Sequence, residues 1–456
     1  MALPRASGQP FGEGVVHRSV GPRRSPQVPH CATVETNRPG ARQSLIVEHR
    51  RSLPILAAAW LALAAGGEPR WLELNRAARD AVQARDYARL RDTLLQLQPL
   101  LPGNPRIAYN LAASEAVLGH REAAVRAMGS LAAMGLLYDL DADADFASLR
   151  GLPAYRAALA RIAAAKQPVT HSTLAFPIAE PDLLPEDIAY DPRDRRFFIS
   201  SARHGRILTG EGREFARTPW GAMALRADPA RRLLWATTGW LPHCDECKPG
   251  DKDKTALLAF DLDTGARKLL IESPLPGLLG DMTLASSGDV FVSEGIHGAV
   301  LRLAAGAAEL ERLDPPGEFP SPQTPALSAD EKTLYVPDYL RGIAAIRLAD
   351  HRIQWLQPAP GIALSGIDGL YLHRDRFLAL QNGTNPKRIM RFSLDLRRQE
   401  VLEANSPWLG EPTHGVIAGD TFYFIANSGW AEYDAQGRKK SGSLPVESSV
   451  RRMSLR

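Results

Sequence analysis

Six consecutive segments of similar layout fill the chain from Val169 onward, and they constrain its fold more than any other feature. Each segment starts with alternating apolar residues, turns at Asp, Gly or Pro, and continues in a second strand rich in aromatic and β-branched residues. Leu233–Ala236 and Thr333–Val336 are two such second strands. The first strands are expected to begin near Glu186, Gly221, Asp281, Gln323, Asp368 and His414, about 46 residues apart on average. Four strands repeated at this period predict a mainly β fold, a six-bladed β-propeller.

The propeller is predicted to cover residues 169–447, with a short tail over 448–456. Ser172–Phe176 is expected to close the ring as an outer strand of the last blade. One interval between first strands is longer than the others because Leu241–Lys254 is inserted in blade two.

Residues 70–165 change to a helical pattern, with Ala, Leu and Arg dominant and apolar positions recurring at three and four. Turns at Asp86 and His120 lie 34 residues apart. This is the period of tetratricopeptide repeats, which the segment resembles over one and a half to two repeats. Two repeats bury little surface, so we expect them to pack on the propeller. They could serve as a groove for a protein partner or only as a packing spacer.

The N-terminal region divides into two parts. Residues 1–48 are rich in Pro, Gly, Arg and Ser and predict a disordered segment, or an extension of the gene model with the true start near Val47. Residues 49–67 have a positive cluster, the apolar run Leu53–Ala65 and small residues after it, which is the layout of a secretory signal peptide. The alternative is a buried helix. Export predicts a periplasmic or secreted protein with no membrane span once the signal is removed.

Charge and cysteine content argue against several classes of protein. The net charge of +4 lies largely in the first fifty residues, and no basic stripe with interleaved aromatics occurs, so we predict no nucleic-acid partner. Cys31, Cys244 and Cys247 are too few for a disulfide scaffold. In an oxidising compartment Cys244 and Cys247 are expected to form a small disulfide loop. Zinc binding with His243 is the alternative, although a structural zinc site needs four ligands.

The first strands of a propeller surround one axis, so their first residues should face a common point. Glu186, Asp281 and Asp368 would bring three carboxylates there, Gln323 an amide and His414 an imidazole. Buried carboxylates that crowd together are costly unless they are compensated, and a hard cation would do this. Alternatively, these groups cap backbone amides or face a water-filled channel.

Loops that follow the second strands should lie on the same face of the ring. They contribute seven aromatic and polar residues: His204, Trp240, His297, Tyr339, Asn382, Asn427 and Trp430. This mixture predicts a pocket for a small polar organic ligand.

Glu186–Pro192, Gln323–Val336 and Asp368–Tyr371 resemble segments of the senescence-marker-protein/gluconolactonase family of six-bladed propellers, to which regucalcin and paraoxonase-type enzymes are related. The resemblance covers residues 170–445. It implies a divalent cation, often calcium, at the top of the channel. Glu186 and Asp368 match two of its ligands, while Gln323 stands where the family has Asn and reaches one methylene further.

The resemblance implies a metal-dependent hydrolase of a lactone or an ester. The cation would polarise the carbonyl, and Asp281 or His414 would activate water, with Asp368 a ligand or a neighbour of the base. The alternative is a non-enzymatic propeller that binds a ligand or a protein and uses its helical repeats for docking.

Overall fold

The computed structural model describes residues 68–442 and 447–456. The predicted N-terminal extension and signal peptide lie outside the described residues. Within the described part of the chain, no helix is both long and apolar enough to span a membrane.

Five α-helices come first in the described part of the chain, and Asp86 and Asn104 begin two of them. The Asp86 carboxylate accepts a hydrogen bond from the Arg89 amide at 3.0 Å, and the Asn104 side chain accepts one from the Arg106 amide at 3.0 Å. Both satisfy amides that a helix start leaves unpaired. The helices are α1 (Arg70–Ala84), α2 (Tyr87–Leu97), α3 (Pro105–Val117), α4 (Arg121–Ala133) and α5 (Pro153–Ala164), with a 3₁₀ turn at Ala144–Leu149 before α5.

The rest of the described chain forms six four-stranded antiparallel sheets, which confirms the predicted six-bladed β-propeller. Blade one contains β2 (Pro185–Asp191), β3 (Arg196–Ser201), β4 (Arg206–Thr209) and β5 (Glu214–Arg217). Blade two contains β6 (Gly221–Asp228), β7 (Leu233–Gly239), β8 (Thr255–Asp261) and β9 (Arg267–Glu272). Blade three contains β10 (Leu279–Leu284), β11 (Val290–Glu294), β12 (Ala299–Leu303) and β13 (Glu311–Arg312).

Blade four contains β14 (Ala326–Leu327), β15 (Thr333–Asp338), β16 (Gly342–Arg347) and β17 (Arg352–Trp355). Blade five contains β18 (Ile367–His373), β19 (Arg376–Gln381), β20 (Arg388–Ser393) and β21 (Gln399–Ala404). Blade six contains β22 (Gly415–Ala418), β23 (Thr421–Ile425), β24 (Ser449–Ser454) and, on its outer edge, β1 (Thr173–Pro177). Apolar side chains of neighbouring blades form the core between them, as where Ile271 and Leu257 of blade two meet Leu301 of blade three.

The ring closes through the two ends of the propeller sequence. β1 pairs with β24 as the expected outer strand, but the predicted tail at 448–456 is wrong because Ser449–Ser454 is the strand between β23 and β1. Its arginines hide the strand pattern in the sequence. Arg451 is nevertheless buried, because its guanidinium donates to the Ser172 carbonyl at 3.0 Å and lies over the Trp408 ring.

The helical segment packs on blades four and five, as expected for a pair of repeats. The Arg388 guanidinium of β20 is 1% exposed and donates to the Met134 carbonyl, after α4, at 2.6 Å. The Leu364 amide donates to the Gly103 carbonyl at 3.0 Å. Ala363 belongs to the same buried cluster as the apolar residues of α3 to α5. The helices therefore have an apolar core of their own, which one propeller residue joins.

Candidate active site

Four ionisable side chains from four blades meet where the inner strands begin. Glu186 lies in β2, Asp281 in β10 and Asp368 in β18, and His414 comes directly before β22. The His414 Nε2 atom is 2.7 Å from Asp281 Oδ1 and 3.9 Å from Asp368 Oδ1, and its Nδ1 atom is 3.9 Å from Glu186 Oε1. None of these side chains is more than 12% exposed. We call these four residues the channel cluster.

His414 lies between the carboxyl groups and has a fixed orientation. Its Nδ1 atom donates to the Glu186 backbone carbonyl at 2.9 Å, so Nε2 faces Asp281. A lone pair on Nε2 would repel a carboxylate oxygen at 2.7 Å, so a proton belongs there and the ring is an imidazolium. Burial alone lowers the pKa of His414, but the charges of Asp281 and Asp368 outweigh it and raise this pKa well above 6.5. Because Nε2 makes no well-aligned hydrogen bond, the contact is chiefly ionic.

The pKa values of Glu186 and Asp368 both lie above the ordinary range of carboxyl groups. Burial raises the pKa of Glu186 to about 8, and the His414 charge opposes this shift only in part. Burial likewise raises the pKa of Asp368 to about 7, with the Asp281 carboxylate adding to the shift. Near neutral pH, Glu186 is therefore mainly protonated and Asp368 is close to half ionised.

Two rim residues orient these carboxyl groups. The Trp430 indole donates to Glu186 Oε2 at 2.6 Å, and the Asn382 amide donates to Asp368 Oδ2 at 2.5 Å. Asn382 is held in turn, because its Oδ1 accepts from the Tyr339 hydroxyl at 3.0 Å. In each of these carboxyl groups, one oxygen accepts a hydrogen bond from a rim residue and the other faces His414.

Gln323, predicted as a metal ligand, does not join the channel cluster. Its amide nitrogen donates to the Ser321 carbonyl and hydroxyl at 3.2 and 3.1 Å. The next residue, Thr324, is the one that contacts the cluster, through a 2.8 Å hydrogen bond from its hydroxyl to Asp281 Oδ1. Successive side chains of an extended chain point to opposite faces, so an offset of one residue turns Gln323 away.

A second ion pair lies beside the cluster, and the sequence reasoning missed it. Arg226 Nη1 donates to Asp187 Oδ2 at 2.6 Å, and the Leu225 amide donates to the same oxygen at 2.9 Å. The Tyr371 hydroxyl accepts from the Gly415 amide at 2.8 Å. The clue in the sequence was an Asp next to Glu186 and an Arg within an otherwise apolar inner strand.

The seven predicted rim residues are all partly exposed, but only Tyr339, Asn382 and Trp430 connect to the channel cluster. The other four serve their own loops, and no hydrogen bond or ion pair joins them to the cluster in the part of the chain that the structure describes. His204 lies 3.6 Å from Asp245, and His297 lies 3.8 Å from Glu294. The Asn427 side chain accepts from the Glu411 amide at 3.1 Å, and the Trp240 amide donates to the Lys254 carbonyl at 2.9 Å.

Cys244 and Cys247 are joined by a disulfide in the blade-two insertion. The loop is tied to blade one by a 2.9 Å ion pair between Arg203 and Asp245. Its His243 ring packs edge-on against Trp430, with ring centroids 4.9 Å apart. The disulfide loop therefore supports the tryptophan that holds Glu186 but contributes no group to the cluster itself.

The residues as arranged do not fit the calcium ion that the family resemblance implies. Calcium takes six to eight oxygen ligands at roughly 2.3–2.6 Å, whereas here a protonated imidazole lies among the carboxyl groups and Gln323 is turned away. Across residues 68–442 and 447–456, no group of three or more His, Cys, Asp or Glu side chains is arranged to hold a metal ion.

Comparisons with known proteins bear on the fold alone. No protein-family model matches the sequence, and no curated protein matches it. The chain is similar to the solved structure of a luciferin-regenerating enzyme, with 12% identity over 63% of this chain and 95% of that chain and a TM-score of 0.43. It is also similar to the PQQ-bound aldose sugar dehydrogenase from Streptomyces coelicolor, with 12% identity over 62% and 97% and a TM-score of 0.41. A chain of a nidogen/laminin complex has 12% identity over 48% and 79% and a TM-score of 0.39. Two of the three are enzymes, but such identities transfer no activity.

Proposed function

We propose that the channel cluster hydrolyses a small lactone or ester. The observation that supports this most is a buried imidazolium between carboxyl groups whose pKa values are raised to about 8 and about 7. Carboxyl groups tuned to the range around pH 7 are efficient proton donors and acceptors at that pH. Strongly shifted pKa values in a buried cluster are typical of functional sites.

The three roles follow from the positions. Asp368, oriented by Asn382 and near half ionisation at pH 7, takes a proton from the water that attacks the carbonyl carbon. The His414 imidazolium stabilises the negative charge that forms on the carbonyl oxygen. Glu186, mainly protonated, gives its proton to the departing alkoxide. An ester yields an acid and an alcohol, and a lactone yields one hydroxy acid, without any redox partner.

The surroundings favour an uncharged substrate. Asp281 and the partly ionised Asp368 offset the charge of His414, so the site offers no net positive charge to a substrate carboxylate. The partly exposed rings of Trp430 and Tyr339 next to the cluster suit an apolar body. We therefore expect neutral lactones and simple esters to be better substrates than anionic ones.

A panel of γ- and δ-lactones and aryl esters tests the proposal, with wild type compared with Asp368→Asn. Asparagine keeps the size of the side chain but cannot accept the water proton, so kcat/KM is expected to fall by about 10²–10⁴-fold. Asp375→Asn, an exposed change in the loop between β18 and β19, is the control and should leave the rate unchanged. Absence of hydrolysis for every compound, or full activity in Asp368→Asn, would contradict the proposal.

Export and a protein partner for the helical segment stay predictions. The disulfide between Cys244 and Cys247 supports an oxidising compartment. N-terminal sequencing of the secreted fraction tests export, and a mature chain that still carries residues 1–46 would exclude the predicted cleavage.

A further inference from the structure

We propose that the ring of His414 occupies the place of a divalent cation in the channel, so that this protein works without a bound metal there. The inference concerns the same site as the proposed function, but it rests on the arrangement of the side chains and not on hydrolysis.

His414 is the basic side chain that the three carboxyl groups of the channel share. Glu186, Asp281 and Asp368 come from three different blades, and each carboxyl is at most 12% exposed. Polar groups buried together need polar partners, because a buried group without one is strongly destabilising. His414 lies within 3.9 Å of each of the three, which no other cationic side chain of the described residues does.

The ring also takes up space that an ion would need. Its Nε2 edge is 2.7 Å from Asp281 Oδ1 and 3.9 Å from Asp368 Oδ1. An ion bound to these two oxygens would crowd this edge, because one of them is already in contact with Nε2.

The ring of His414 is also held in position. Nδ1 donates to the Glu186 carbonyl at 2.9 Å, and the His414 carbonyl accepts from the Ile425 amide at 3.0 Å. The side chain is only 3% exposed. Turning the ring aside for an ion would break the first bond and has little free space to use.

The wild-type protein tests the proposal directly. The full chain, dialysed against metal-free buffer, is measured for metal content by mass spectrometry and for thermal unfolding with EDTA or with calcium chloride. We expect well under one ion per chain and a Tm that is the same in both conditions. About one ion per chain, or a clear rise of Tm with calcium, would overturn the proposal, since a ligand of the folded state stabilises it. Neither result depends on finding a substrate.

His414→Asn adds a gain-of-binding test. The substitution removes the positive charge and brings in a carbonyl oxygen, a ligand that calcium accepts. Calcium is expected to raise the Tm of this variant but not that of His373→Asn, whose histidine pairs with Asp420 in a more exposed setting. A folded His414→Asn protein that does not respond to calcium would contradict the proposal. If the variant fails to fold, the wild-type measurements still decide.

Discussion

The ion pair between Asp281 and His414 should be worth several times more than a surface pair of the same chemistry. Its atoms are 2.7 Å apart, and the side chains are 8% and 3% exposed. Removing one member of a buried pair leaves the other charge without a close partner, which typically destabilises a protein by about 3–5 kcal/mol. Asp281→Asn keeps an acceptor for the Thr324 hydroxyl, so the lower end, about 3 kcal/mol, is expected.

Relief of repulsion between carboxylates offsets only a small part of this loss. At pH 7 Glu186, with a pKa of about 8, is mostly neutral, and Asp368, with a pKa of about 7, is near half ionised. Asp368 also lies 3.9 Å from Nε2, too far to replace the lost contact. For a folded body of roughly 400 residues, a loss of about 3 kcal/mol lowers Tm by about 4 °C.

The assay is thermal unfolding at pH 7, and the chain offers a matched control. His373 and Asp420 form a second histidine–aspartate pair at 3.1 Å, but their side chains are 14% and 30% exposed. Because solvent screens this pair, Asp420→Asn should lower Tm much less than Asp281→Asn does. Equal losses for Asp281→Asn and Asp420→Asn, or none for Asp281→Asn, would refute the claim that burial makes the channel pair strong.

Three further predictions follow from the same structure. Burial raises the pKa of Glu186 to about 8 in the folded chain, whereas the unfolded chain releases this proton near pH 4.5. Stability should therefore fall as pH rises between these two values. Glu186→Gln should reduce the fall in Tm that is measured from pH 5 to 9. Arg388→Met removes the donor to the Met134 carbonyl and should destabilise the docked helices by about 2 kcal/mol. Limited proteolysis should then cut the helical segment faster, and an unchanged rate of cleavage would count against this docking. Replacing Cys244 and Cys247 by serine opens a very short loop and should lower the free energy of unfolding, measured by chemical denaturation, by about 2 kcal/mol. An unchanged free energy of unfolding would mean that the disulfide does not constrain the unfolded chain.

Much of the channel site was predictable because inner strands of a propeller must start around one axis. Strand spacing alone placed Glu186, Asp281, Asp368 and His414 together, although they are far apart in the chain. The prediction that Gln323 is a metal ligand was wrong because it depended on the register of the inner strand. β14 is only Ala326–Leu327, and strand patterns give no reliable position for the extended residues before so short a strand.

The role of His414 could not be read from its position in the chain. A histidine at an inner-strand start is compatible with a base, a ligand or a structural group. Only the 2.9 Å bond from Nδ1 to the Glu186 carbonyl determines that Nε2 faces Asp281. The Arg226–Asp187 pair was missed because the sequence does not show that these two side chains face each other across neighbouring blades.

By itself the sequence determined the six-blade ring, the helices in front of it and the four residues that meet in the channel. Hydrophobic alternation and turn residues repeat locally, and a period of this kind has few ways to bury its apolar faces. The tertiary structure decided what those residues are to one another: which nitrogen faces which oxygen, which carboxyl is protonated, and that Ser449–Ser454 closes the ring. Charge states and pairings depend on distances and burial between distant segments, and these exist only once the blades have packed.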